Sequence, residues 1–132
     1  MKIKEKLTRA EQKYILWKSA KIRKEFSDSD DDFTASILIN YLVLSVILQP
    51  DTPEQVDKET TPFGTIEILK REYVEKFLDE KGIDDLNKEI KFFEDLLNEA
   101  PCLFFLREIG RTGSGSGYGG NSQDTDAKDV TP

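Results

Sequence analysis

Hydrophobic residues recur every three or four positions in three stretches of the chain, which is the spacing of one face of an amphipathic helix. This spacing predicts helices from Lys4 to Phe26, from Thr65 to Lys81 and from Asp84 to Glu99. Gly82 follows the second helix, at a position where a glycine commonly ends a helix. Asp84 stands where an N-cap is expected for the third. These stretches predict a helical body.

The stretch from Phe33 to Gln49 has no charged residue and is apolar on every side. A helix of this kind is either a buried central helix or a membrane span. The stretch is short for a span, which needs about 20 residues, and it lacks basic and aromatic flanks. We therefore predict a central core helix, with a strand pair as the alternative because many of its residues are β-branched. The acidic run Ser27–Asp32 lacks EF-hand spacing and is interpreted as an N-terminal cap.

Two further segments have weaker patterns. The polar run from Asp51 to Thr61 predicts a single helical turn within a loop, and Thr61-Pro62-Phe63-Gly64 predicts a tight turn. The apolar run from Cys102 to Ile109 predicts a short buried helix or a strand, and the preceding Pro101 favours the helix. Cys102 lies within this apolar run, which predicts a buried thiol.

The predicted fold is all-α: a four- to five-helix bundle with a central apolar helix and a flexible Gly/Ser-rich C-terminal tail. The helical domain covers residues 1–110, where nearly all the apolar residues lie. Residues 111–120 are rich in glycine and serine and predict a flexible linker. Residues 121–132 are acidic and almost without apolar side chains, which predicts either a natural disordered tail or a tethered peptide.

The composition excludes several chemistries. The 132-residue chain has a net charge of −7, no histidine and one cysteine. Without histidine there is no Ser-His-Asp or Cys-His relay, and a lone cysteine forms no intramolecular disulfide or thiolate zinc cage. We therefore expect no metal site and no cofactor. The net negative charge disfavours nucleic-acid binding, which needs clustered Lys and Arg side chains. A lone thiol fits the cytoplasm or another reducing compartment.

The carboxylates of the predicted helices indicate a solvated surface. They interleave with Lys and Arg, and Glu72–Lys76 and Glu67–Arg71 have the favourable i,i+4 order. Nothing in this pattern singles out a pair of acid and base groups. We therefore predict no catalytic residues and no enzymatic activity.

The predicted N-terminal helix concentrates positive charge, with nine Lys and Arg against three Glu among residues 1–26. We expect the acidic helices of the same chain to pack near it, with an acidic protein partner, lipid and nucleic acid as alternatives. Large aromatic residues dominate the energetics of interfaces. The predicted partner-binding residues are therefore Tyr14, Trp17, Phe104 and Phe105, with positions in the core as the alternative for each.

Two short stretches resemble helices of the Rubisco assembly chaperone family. They are Thr34-Ala35-x-x-Leu38-x-x-Tyr41-Leu42 and Glu72-Tyr73-Val74-Glu75, which together cover about a tenth of the chain. The rest of that family's pattern is absent from this sequence. No site residue is transferred from the resemblance.

The sequence favours a non-catalytic protein–protein interaction or assembly module that binds an apolar partner segment in a groove between helices. The expected partner is another protein or a peptide, with a homo-oligomer left open, and we expect neither nucleic acid nor a membrane span. One alternative is a structural subunit of a larger, membrane-associated complex. Another is a domain–peptide fusion in which the C-terminal segment is the ligand.

Overall fold

The computed structural model describes residues 1–27 and 31–113, which form five α-helices, four short β-strands and two turns of 3₁₀-helix. By contacts the chain divides into two units, Met1–Glu94 and the residues from Asp95 onward. The elements, in chain order, are β1 (Lys2–Ile3), α1 (Arg9–Glu25), α2 (Asp32–Ile47), β2 (Leu48–Gln49), a 3₁₀ turn (Pro53–Gln55), β3 (Val56–Thr61), β4 (Gly64–Leu69), α3 (Arg71–Glu80), α4 (Leu86–Glu99), a second 3₁₀ turn (Pro101–Leu103) and α5 (Phe104–Gly113).

The prediction of an all-α fold is wrong, because the first unit contains two antiparallel two-stranded sheets. One pairs β1 with β2, so that Ile3 lies opposite Leu48. The other is a hairpin of β3 and β4, in which Val56 lies opposite Leu69. The fold is therefore helix-rich but mixed.

The hairpin occupies residues that the sequence assigned to a polar loop and to the start of a helix. In β4 the apolar Ile66 and Ile68 alternate with Thr65 and Glu67, which is the period-2 pattern of a strand with one buried face. The helical spacing found from Ile66 onward continues into α3 by coincidence, because the strand ends at Leu69 and the helix begins at Arg71. β-branched residues favour the strand.

The predicted tight turn at Thr61-Pro62-Phe63-Gly64 is confirmed as the turn of this hairpin. The Thr61 hydroxyl accepts a hydrogen bond from the Phe63 amide at 3.0 Å and donates one to the Gly64 carbonyl at 2.7 Å. Gly64 has a φ of +118°, in a region that residues with a Cβ rarely adopt. The turn therefore depends on glycine at this position.

Replacing Gly64 by alanine is expected to lower the free energy of unfolding by about 1–3 kcal/mol. The cost is conformational, since nothing lies within 4 Å of the position that a Cβ would occupy. The control is Thr65→Ala at the next, exposed position of β4, for which we expect a loss below about 1 kcal/mol. Urea unfolding followed by circular dichroism measures both, and equal losses would contradict the role assigned to Gly64.

The buried central helix predicted from Phe33 to Gln49 is confirmed over Asp32–Ile47. This helix, α2, packs against α1, α3 and β4, and Leu42–Ile47 is buried without interruption. Asp31 caps its N-terminus, because the Asp31 carboxylate accepts a hydrogen bond from the Thr34 amide. No helix within the described residues is both long and apolar enough to cross a membrane.

The other predicted helices are found with shorter bounds. α1 starts at Arg9, because Thr8 and Glu11 form a capping box in which each side chain bonds the other residue's backbone amide. Gly82 follows α3 with a φ of +77°, as expected for a helix-ending glycine.

In the second unit, the run after Pro101 forms a 3₁₀ turn and then a helix, so the preference for a helix there is confirmed. Cys102 is buried, as predicted. The Arg107 guanidinium donates hydrogen bonds to the carbonyls of Leu97 and Ala100, near the end of α4. The predicted linker and tail cover residues 111–132. Residues 111–113 form the end of α5, and the rest of this stretch lies outside the described residues.

Candidate functional site

The first unit has a cleft of about 370 Å³ between α1, α2, the hairpin and the start of α3. Its polar lining includes Tyr41 and Ser45. Its floor is apolar and consists of Ile22, Leu38, Leu42, Ile68, Leu69 and Val74. Its charged rim consists of Lys18, Asp57, Lys70 and Arg71. We call these two sets the apolar floor and the charged rim.

The periodicities of the helices bring the lining residues to one side. Lys18 and Ile22 are four residues apart on α1. The α2 residues of the cleft are Leu38, Tyr41, Leu42 and Ser45, which are spaced three, four and seven positions from the first. These steps place each set on one helix face. Ile22, Leu38 and Ile68 are only half-buried, so they leave apolar surface open to a ligand.

Tyr41 forms one wall of the cleft and is held from three sides. Its hydroxyl lies 3.1 Å from the Glu75 carboxylate and 3.2 Å from the Glu89 carboxylate. The hydroxyl has a single proton, so it donates to one carboxylate at a time. The Arg71 guanidinium lies over the ring, 4.7 Å from its centroid. Burial and the two carboxylates raise the pKa of Tyr41 well above its usual value, so the phenol stays neutral at physiological pH.

Lys18 is connected to the core through Glu59. The Tyr14 hydroxyl donates to Glu59 Oε1 at 3.0 Å, and Lys18 Nζ lies 3.9 Å from Glu59 Oε2. Burial and the Glu59 carboxylate raise the pKa of Tyr14 well above its usual value. Tyr14 therefore links α1 to β3 and helps to hold Lys18 at the rim.

The four residues predicted to bind a partner lie elsewhere in the chain, and none of them lines the cleft. Tyr14 is only 1% exposed, so its ring packs in the core. Trp17 is half-buried and packs edge-on against Phe63, with ring centroids 6.2 Å apart. In the second unit, Phe104 is 53% exposed and Phe105 is half-buried. Partner binding by these residues stays a prediction.

Sequence reasoning missed most of the cleft. Lys70 and Arg71 form adjacent cations at the junction of β4 and α3. Two adjacent cations could have indicated a charged binding surface, but the sequence pattern assigned both residues to one helix from Thr65 to Lys81. Leu38 and Leu42 were assigned to the core as a group, because the sequence does not say which flank of a central helix stays uncovered.

Residues 1–27 and 31–113 contain no group of three or more His, Cys, Asp or Glu side chains that could hold a metal ion. Comparison with known proteins found no matching family model, no matching curated protein and no matching solved structure. The resemblance to Rubisco assembly chaperones therefore has no support from these comparisons. The cleft has to be interpreted from its own geometry.

Proposed function

We propose that the chain is a non-catalytic docking module whose cleft binds an apolar segment of a partner protein. The observation that carries the proposal is an apolar floor with three half-buried residues, Ile22, Leu38 and Ile68, beside a charged rim of three cations and one carboxylate, in a chain of net charge −7. Even with Lys18 paired to Glu59, Lys70 and Arg71 give the rim the opposite sign to the protein as a whole. Such a surface favours a partner segment in which carboxylates flank apolar side chains.

The two parts of the cleft have different roles in this proposal. The apolar floor supplies affinity, since burying an aliphatic side chain contributes about 1.5–3 kcal/mol before the costs of association. Lys18, Lys70 and Arg71 supply orientation and a faster encounter with an acidic segment. Arg71 is also held by its contact with Tyr41, which limits the side-chain entropy that binding would remove.

The polar groups of the cleft support binding rather than catalysis. Tyr41 has a raised pKa and is a poor base at neutral pH. The Ser45 hydroxyl donates to the Leu42 carbonyl at 2.6 Å, so its proton is already engaged within α2. Asp57 is the single carboxylate among the lining residues, which leaves no paired acid and base.

The experiment compares what the full chain and its variants retain from an extract of the native source, followed by titration of the retained protein in purified form. Leu38→Arg places a charge on the apolar floor and is expected to raise the dissociation constant at least about tenfold. Lys70→Glu reverses one rim charge and is expected to weaken binding about three- to tenfold, with a reduced dependence on salt.

Each variant has a matched control outside the cleft. Leu86→Arg makes the same change at an exposed position of α4, and Lys76→Glu makes the same reversal on the exposed side of α3. Both are expected to bind as the unaltered chain does. Circular dichroism checks that all four variants fold. If a folded Leu38→Arg variant binds the partner with unchanged affinity, the cleft is not the docking site.

A further inference from the structure

The solvent side of α1 carries a face of positive charge. Its five cations are all exposed, and they are Arg9, Lys13, Lys21, Arg23 and Lys24. At 100° per residue they span an arc of about 160° around the helix. The two glutamates of α1, Glu11 and Glu25, lie outside this arc. We call this surface the basic face of α1.

The cations of the basic face are not neutralised by the described part of the chain. None of the five forms an ion pair with a carboxylate of residues 1–27 or 31–113. Glu11 is instead bound by Lys4 at 2.8 Å. The acidic helices that we expected to pack near this segment therefore do not pair with its outer cations. The described residues therefore leave these five cations available to an external anionic surface.

Apolar side chains lie among these cations. Leu16 is 37% exposed and lies within the arc, between Arg23 and Arg9, and Ala20, also within the arc, is exposed as well. Trp17 also lies within the arc, between Lys24 and Lys21, where the Lys21 ammonium stands 4.2 Å from its ring and Phe63 packs against its edge. Phe63, at the tip of the hairpin, is itself 37% exposed. The face thus combines positive charge with accessible apolar side chains.

We propose that the basic face of α1 adsorbs to anionic lipid bilayers. Lipid phosphates and carboxylates meet the five cations, while Leu16 and the accessible parts of Trp17 and Phe63 enter the interface. The helix then lies along the surface without crossing the membrane. Although the whole chain is acidic, carboxylates farther from the bilayer than the Debye length of about 10 Å are largely screened at 0.1 M salt.

The face fits a bilayer better than it fits a nucleic acid. Single-stranded nucleic acid is held by bases stacked on free aromatic rings. The Trp17 ring already has Lys21 over it and Phe63 at its edge, so it is a poor stacking platform. Leu16 also lies among the cations, where a phosphate backbone would offer it no apolar contact. A bilayer interface accepts both the charges and the leucine.

The test uses the full chain and vesicles of phosphatidylcholine, with and without about 30% phosphatidylserine. Trp17 is the single tryptophan of the chain, so its emission reports directly on this face. We expect at least about tenfold stronger partition into the anionic vesicles, a shift of Trp17 emission to shorter wavelength, and loss of binding at about 0.5 M salt. Equal partition into both vesicle types would overturn the proposal.

Charge-neutralising variants locate the effect. The triple variant Arg9→Gln, Lys13→Gln and Lys24→Gln is expected to lower partition at least about tenfold. The control removes the same number of charges from exposed positions on β3 and around α3, by changing Lys58, Lys76 and Lys81 to Gln. It is expected to partition as the unaltered chain does, and an equal loss in both triple variants would overturn the proposal.

Two other anionic ligands test whether the basic face binds something other than lipid. Titrations with a single-stranded oligonucleotide and with polyglutamate are expected to be weaker than vesicle binding at the same salt concentration. The lipid proposal is refuted if the chain does not bind vesicles but binds the oligonucleotide or polyglutamate saturably, and if the α1 triple variant abolishes that binding. The basic face would then be assigned to that ligand. Lys70→Glu, in the cleft, is expected to leave vesicle binding unchanged, so this proposal and the docking function fail separately.

Discussion

Replacing Leu44 by alanine is expected to lower the free energy of unfolding by about 2–5 kcal/mol. Leu44 is 1% exposed and lies in the uninterrupted buried run of α2. The substitution removes buried apolar surface and leaves a cavity that the surrounding helices close only in part. Single domains have about 5–15 kcal/mol of stability in total, so the variant is expected to lose a large fraction of it.

The control for this prediction is Leu86→Ala, which makes the same change where the side chain is 44% exposed. It is expected to cost less than about 1 kcal/mol, since surface substitutions have small effects. Urea unfolding monitored by circular dichroism gives both values, with the m-value checking that the transition stays comparable. Similar losses in the two variants would contradict a central position for α2.

The position of α2 is the part of the fold that the sequence specifies most clearly. A run without charge in an acidic chain has to be covered on several sides, and α1, α3 and β4 provide that cover. Two of the capping residues were predictable, whereas the cap predicted at Asp84 is wrong by one residue, since the Asp85 carboxylate accepts the bond from the Lys88 amide at the start of α4. Asp31 bonds the first turn of α2, and Gly82 adopts the positive φ that ends a helix.

The hairpin could not be predicted in the same way, because its evidence is non-local. Ile66, Leu69 and Tyr73 have helical spacing, yet the first two belong to β4 and the third to α3. The partner strand β3 has few apolar residues, so it lacks the alternating pattern that indicates a strand. One of its half-buried positions is filled by Glu59, whose carboxylate accepts a hydrogen bond from the Tyr14 hydroxyl of α1. That contact joins residues 45 positions apart, so no local pattern reveals it.

The candidate site was hidden for the same reason. The cleft is assembled from α1, α2, the hairpin and the start of α3, and each element contributes only a few residues. The sequence indicated an apolar groove between helices with charged rims, but it could not say which faces of the helices would stay uncovered. The aromatic anchors it favoured were chosen by residue type. Tyr14 shows the weakness of that criterion, because a large aromatic ring fits a core as well as an interface.

Raising the pH above about 10 is expected to destabilise the protein through Tyr14 and Tyr41. In the folded state, burial and neighbouring carboxylates raise the pKa of both phenols. The unfolded chain loses these protons near pH 10, whereas the folded chain keeps them. The stabilisation is therefore complete below about pH 10 and is lost as the pH rises, by up to about 1.4 kcal/mol per pH unit for each tyrosine. The effect is smaller for Tyr41, which is only half-buried.

Phenylalanine substitutions separate this effect from the deprotonation of lysines, which occurs in the same range. At neutral pH, Tyr14→Phe is expected to cost about 0.5–1.5 kcal/mol, because the hydrogen bond to Glu59 is lost. Above pH 10, its stability is expected to fall less steeply than that of the unaltered chain, since one titrating group has gone. Tyr41→Phe should act in the same direction, and the double variant should retain only the slope due to other groups. Urea unfolding between about pH 7 and pH 11.5 measures these slopes. A double variant with the slope of the unaltered chain would show that neither phenol is linked to folding.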